Sequence, residues 1–206
     1  MTGSIRSRAA WVPDARAVVF ALLTLFAFAG ALPAHAQSQG QAPGGDPPSR
    51  VARLSEASGN VWLLNPDDNE WIGIDRNRPL TSGDRIATDN GAHAEVTLGT
   101  TTLRLGEATD LEIVQLDDTA YRLRLQSGSV ALRVRGPLAL AGFSLETGEG
   151  QFRVLALGHY RFDRFDQSSN LSVYSGRAVF ERRDTALVVA AGQQAQFWLD
   201  AAGAAQ

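Results

Sequence analysis

An all-β fold is predicted for the body of this chain, on three observations. Through most of 51–199, apolar residues alternate with polar ones at a period of two. Glycine, aspartate or asparagine punctuates these runs at short intervals, as turns between strands require. No long stretch keeps apolar residues at the three-and-four spacing of a helix.

The chain opens on a different pattern. Arg6, Arg8 and Arg16 precede the apolar run "AVVFALLTLFAFAGAL" (17–32), which Pro33 breaks before "AHA". Basic, apolar and small-residue segments in that order predict a secretory signal peptide over 1–36, cut after Ala36. The apolar run is short of the roughly 20 residues that span a bilayer, which disfavours the alternative of an uncleaved anchor. No cysteine follows it, so a lipid anchor is excluded. The expected location is periplasmic or secreted, with no membrane span after cleavage. Residues 37–50, "QSQGQAPGGDPPSR", are polar and rich in Gly and Pro. They cannot bury enough surface to offset chain entropy and read as a flexible linker. Residues 200–206 read as a disordered tail.

In the body, "SGNVWLL" begins a strand at Ser58, and "NPDDNE" (65–70) reads as a polar hairpin tip before Trp71. "LTSGDRIAT" (80–88) gives a turn at Ser82-Gly83-Asp84 and a strand from Arg85 to Thr88. The Asp84 carboxylate is available there to accept backbone N–H groups. "DNG" (89–91) is a second turn, since Asn and Gly accept positive φ. "AHAEVTL" and "TTLRL" are strands. "VQLDDTAYRL" is a hairpin with Asp117 and Asp118 at its tip. "YRLRLQSGSVALRVRG" (121–136) reads as two alternating strands around a turn or bulge at Gly128. "YRFDRF" and "LSVYS" form a hairpin through "DQSSN" (166–170), and "RAVFER" and "ALVVA" complete the set. Many short strands with regular turns indicate a single all-β domain over 51–199: a sandwich, barrel or roll. Ser-Gly pairs at Ser58, Ser127 and Ser175 each lead into an alternating strand, an unequal internal echo.

Composition narrows the function. All 19 basic residues are arginine and the formal net charge is -3, which argues against a nucleic-acid partner. With 0 cysteines, disulfides, thiolate metal sites and cysteine nucleophiles are excluded. No G-x-S-x-G elbow, phosphate-binding loop or dinucleotide fingerprint occurs. A glycosidase pair could be drawn from the acidic residues, but spacing selects none.

The candidate site residues are few. Asp84, Asp89, His93 and Glu95 lie close together in sequence and could be metal ligands or an acid–base pair. Alternation places His93 and Glu95 on the outward side of their strand, away from Ala92, Ala94, Val96 and Leu98, so a wet surface is the expected reading. Zinc needs at least three protein ligands, and the pattern supplies too few, so no metal and no cofactor is expected. The Arg122, Arg124, Arg133 and Arg135 face is a solvated sheet face or an anion-binding stripe, with Arg133 and Arg135 its binding candidates. Trp71, beside Asp67, Asp68, Asn69 and Glu70, suits a sugar platform. "NPDDNE" lacks the spacing of a calcium loop. Trp62 and Trp198 lie in apolar strands and are expected in the core.

"LTSGDRIAT" followed by "AEVTL" resembles the hallmark of FecR-type domains, and "SGNV", "QSGSV", "YSGRAV" and "VVAAGQQA" resemble further strands of that family in the right order. The resemblance spans about 51–197. It implies a roll-like or solenoid-like all-β domain, periplasmic and without catalysis. FecR proteins of iron transport carry a cytoplasmic anti-sigma segment. Only a short basic segment precedes the apolar run here, so the chain resembles an exported branch without that segment. The expected function is a non-catalytic interaction or sensing module in envelope signalling or assembly, with an envelope protein or glycan as partner. The alternatives are a carbohydrate- or peptidoglycan-binding module and an enzyme with an unrecognised carboxylate site. Partner identity and oligomeric state stay open at this stage.

Overall fold

A computed structural model describes residues 50–66, 69–137, 142–183 and 185–199. The signal segment, residues 37–49 of the linker, Asp67, Asp68 and the tail 200–206 lie outside them.

Alternation becomes strand because each strand has one face to bury. His93–Leu98 alternates exposed or half-buried with buried residues throughout, and Thr101–Leu105 does the same. Sixteen strands result among the described residues. In chain order they are β1 (Ala52–Ser58), β2 (Val61–Asn65), β3 (Glu70–Gly73), β4 (Pro79–Leu80), β5 (Arg85–Thr88), β6 (His93–Leu98), β7 (Thr101–Leu105) and β8 (Asp110–Leu116). They continue as β9 (Tyr121–Val134), β10 (Phe143–Glu146), β11 (Gln151–Val154), β12 (Gly158–Phe165), β13 (Ser168–Ser175), β14 (Arg177–Arg182), β15 (Thr185–Ala190) and β16 (Gln194–Trp198).

The strands form two wings that share β9. One wing runs β4-β1-β6-β7-β9-β12-β13-β16, and the other β3-β2-β5-β8-β9-β10-β11-β14-β15. We call them the β6 wing and the β5 wing. The β9–β10 pair is parallel, and every other strand pair among the described residues is antiparallel. Side chains from both wings meet in one core. Phe152 of β11 packs on Phe162 of β12 with ring centroids 5.4 Å apart, and Phe180 of β14 stacks on Phe197 of β16 at 4.0 Å. Such pairs contribute about 0.5–1.5 kcal/mol each beyond the burial of their area.

β9 is one continuous strand of 14 residues, so the expected turn between two strands is absent and the bulge is present. Ser127 pairs with Asp110 and Leu125 with Leu111, which leaves Gln126 as the extra residue. Its effect can be read in parity. Tyr121, Leu123 and Leu125 are buried before it, and Val130, Leu132 and Val134 after it. One added residue moves the buried set from odd to even positions, so the strand keeps its apolar face inward as it passes between wings. The corner is stitched by buried Thr109, whose Oγ1 accepts the Ser129 N–H at 3.0 Å and donates to the Ser129 carbonyl at 3.2 Å.

The Ser-Gly pairs at Ser58, Ser127 and Ser175 occupy places where the chain changes wing: β1 to β2, the middle of β9, and β13 to β14. Gly128 has φ +90° and a Cβ there would lie 2.4 Å from the Thr109 Cα; Gly176 has φ +92° and its Cβ would meet the Tyr160 hydroxyl at 2.2 Å. The echo in sequence is a repeated corner in space. The β12–β13 hairpin is tighter than "DQSSN" suggested. Only Asp166 and Gln167 form its loop, both at positive φ, and Ser168 to Asn170 already belong to β13.

Candidate functional site

The turn before β5 is held from several sides. Gly83 has φ +91°, and Asp84 Oδ2 accepts the Thr81 N–H at 2.7 Å. The Gly83 N–H donates to the Ile113 carbonyl at 2.7 Å, and the Asp84 carbonyl accepts the Ile113 N–H at 2.8 Å, which ties the turn to β8. Asp89 accepts from Asn60 Nδ2 at 3.0 Å and from the Trp62 indole N–H at 3.1 Å. His93 is exposed at the start of β6. Glu95 is more enclosed than an ordinary wet residue: its carboxylate accepts Arg104 Nε at 2.7 Å and Ser55 Oγ at 3.3 Å. Three of the four clustered groups, Asp84, Asp89 and Glu95, thus have separate partners. Among the described residues no three His, Cys, Asp or Glu converge on a point where a cation could sit.

On the outward face of the β6 wing, register aligns Arg53, Thr97, Thr102, Arg133 and His159 in one row across five strands. The neighbouring row is Glu95, Arg104, Ala131 and Arg161. Ala131 is short between longer neighbours, so a groove of about 310 Å³ opens over Gly106, Ser129 and Ala131 between Arg104 and Arg161. Both of those arginines are paired, with Glu95 and Asp163. A smaller hollow beside it is lined by Thr102, Arg133, Arg135 and His159. Arg133 and Arg135 are exposed there and have no carboxylate partner among the described residues.

The outward face of the β5 wing is built differently. Trp71, Leu64, Arg85 and Glu112 form one row, and Gly73, Trp62, Ala87 and Asp110 the next. Asp110 grips the Arg85 guanidinium through two contacts, Nε to Oδ1 at 2.6 Å and Nη2 to Oδ2. These hydrogen bonds outweigh partial burial and raise the Arg85 pKa further. The same guanidinium lies over the Trp71 ring, 5.7 Å from its centroid. Trp62, Trp71 and Ala87 line an apolar hollow of about 330 Å³. Farther along the wing, Arg124 bridges Glu112 and Glu146 at 3.0 Å each.

Two tryptophans depart from expectation. Trp62 is half-buried and ends on Asp89 instead of filling the core. Trp198 is 47% exposed, because its neighbour Phe197 takes the inward position on β16 and alternation turns the indole out. The parity of "AQFWL" carried that signal.

A family model described as FecR protein matches residues 84–179, the span from the Asp84 turn to β14. None of the curated proteins compared with the chain matches it. Two crystal structures of a proposed anti-sigma factor from Parabacteroides distasonis ATCC 8503, at 1.65 and 2.50 Å resolution, superpose with a TM-score of 0.49 at 16% and 17% identity. The alignments cover 59% of this chain and 57% of those chains, so the match spans little more than half of their length. What the comparison shows is a match to the FecR family over residues 84–179.

Proposed function

We propose that the chain is a non-catalytic sensing or interaction module, exported to the bacterial envelope and acting there in signalling or assembly. The FecR match over β5 to β14 carries this reading. The surface chemistry supports it. Outward carboxylates are engaged in cross-strand pairs with arginines, such as Arg85–Asp110, Arg124–Glu112 and Arg153–Glu181. Such pairs hold a face in shape and leave those groups less available for proton transfer. Both wings also end in exposed apolar positions, Leu187 and Val188 on β15 and Trp198 on β16, of the kind that protein interfaces cover.

Deleting the gene and comparing transcripts tests the signalling reading. A discrete set of transcripts changes on deletion, and the full chain restores it while a chain lacking 1–36 does not. No change on deletion, or rescue by the leaderless chain, overturns the proposal. A second reading, a carbohydrate-binding module, is favoured by one observation, the paired indoles over Ala87 on the β5 wing.

A further inference from the structure

We propose that the hollow between Trp62 and Trp71 binds a neutral saccharide, with the two indoles as stacking surfaces and the surrounding carboxylates as acceptors for its hydroxyls. The inference rests on the carbohydrate-binding reading and gives it a site and a ligand class.

The first argument is preorganisation. Trp62 and Trp71 lie diagonally on adjacent antiparallel strands, since Leu64 faces Trp71 and Trp62 faces Gly73. Diagonal positions are about 7–8 Å apart, within reach of aromatic side chains. Each indole is fixed independently, Trp62 by the bond from its N–H to Asp89 and Trp71 by the Arg85 guanidinium that Asp110 holds over it. Indoles already locked lose little conformational freedom when a ligand arrives. Between them the floor is Ala87, with Gly73 beside Trp62, so no long side chain fills the space. A hollow of about 330 Å³ is at the small end of ligand sites and suits one or two rings.

The second argument is the balance of donors and acceptors. On its other side Trp62 borders a polar hollow lined by Asn60, Gly73 and Asp75. Several donors near the indoles are already engaged: the Trp62 N–H and Asn60 Nδ2 go to Asp89, and Arg85 Nε and Nη2 go to Asp110. What remains in excess is acceptor oxygen, on Asp75, Asp89 and Asp110. A peptide backbone brings carbonyls that need donors and meets few here. A sugar ring brings an apolar C–H face for the indoles and a rim of O–H donors for the carboxylates. The carboxylates also repel an anionic sugar, which makes the preferred ligand neutral.

The test uses the exported chain purified from the envelope and titrated calorimetrically with three probes: β-linked N-acetylglucosamine oligomers, β-glucan oligomers and a polyuronate. At least one neutral oligomer binds, and the polyuronate binds more weakly. Trp71→Ala lowers the affinity about tenfold or more. Ala87→Leu, which fills the floor and leaves both indoles in place, does the same. Trp198→Ala, which removes an exposed indole elsewhere, leaves it unchanged. Thermal melts matching wild type show that the variants fold. Failure of both neutral oligomers to bind, binding that survives both Trp71→Ala and Ala87→Leu, or preference for the polyuronate overturns the inference. None of these outcomes touches the transcript readout of the signalling proposal.

Discussion

Glu149 and Arg164 tie the two wings together. Glu149 sits in the β10–β11 turn with its side chain 2% exposed, and its Oε2 accepts Arg164 Nε of β12 at 3.2 Å. The same oxygen accepts Ser169 Oγ of β13 at 2.5 Å. Arg164 also donates through Nη1 to the Gln126 carbonyl, so the ion pair reaches the bulge at which β9 changes wing. Burial pushes the Glu149 carboxyl up, but the Ser169 hydroxyl and the Arg164 guanidinium more than offset it, and the group lies below its ordinary value of 4.5.

That direction fixes a pH dependence. A carboxyl whose folded pKa is depressed stabilises the fold fully above its unfolded value and loses that contribution as pH falls through the folded one. Glu149→Gln should therefore lower stability at neutral pH by about 2–4 kcal/mol, somewhat under the range for fully enclosed pairs because Arg164 is 22% exposed. Below about pH 4.5 the variant and wild-type curves should converge. Urea denaturation from pH 7 to pH 3 measures this. Parallel curves over the whole range would show that Glu149 does not titrate against the fold.

The corner glycines separate two costs that usually arrive together. Gly83 and Gly128 have nearly the same φ, +91° and +90°, so Ala at either site pays for left-handed backbone, of order 1–3 kcal/mol. At Gly83 a Cβ would rest 3.4 Å from Pro66 Cγ, an ordinary contact, whereas at Gly128 it would enter Thr109 at 2.4 Å. Gly128→Ala should cost about 1–3 kcal/mol more than Gly83→Ala, the usual penalty for overpacking. Equal denaturant midpoints for the two variants would mean that the β9 corner relaxes freely.

The strands were legible in sequence because burial on one face imposes a period of two, and β5 was read at Arg85–Thr88 as it occurs. The wings were not, because pairing across β9 joins residues far apart, such as Phe162 and Val130, and no local pattern specifies which strands meet. The bulge left a trace in the parity change between Leu125 and Val130. Site residues were legible where alternation alone decides their side, as for His93. Partnerships such as Trp62 with Asp89 depend on how the corner at Gly59 brings two strands together, and that geometry is set by packing.

The leader yields a simple mass prediction. If 1–36 is a signal peptide, the chain recovered from the envelope begins at Gln37, by intact-mass measurement. A recovered chain that still carries Met1 would refute export by cleavage.

The last prediction concerns His93 and Glu95. His93 is exposed, and Glu95 is bound to Arg104, whose side chain is 74% exposed. A pair so open to water contributes about 0–1 kcal/mol, since solvent screens it and two side chains lose freedom to form it. Losing the Ser55 contact at 3.3 Å adds little, because water can replace the acceptor on this half-buried strand face. The double change His93→Ala/Glu95→Ala should thus cost no more than about 1 kcal/mol. A cation bound by these groups in the folded state alone would raise the melting temperature when added. Thermal melting of both proteins with and without zinc separates the cases. Equal wild-type melts in both conditions, with a small downward step in the variant, are expected because His93 is exposed and Glu95 is committed to Arg104. A zinc-dependent rise in wild type that vanishes in the variant would mean that His93 and Glu95 recruit a third ligand, and metal chemistry on the β6 wing would have to be considered.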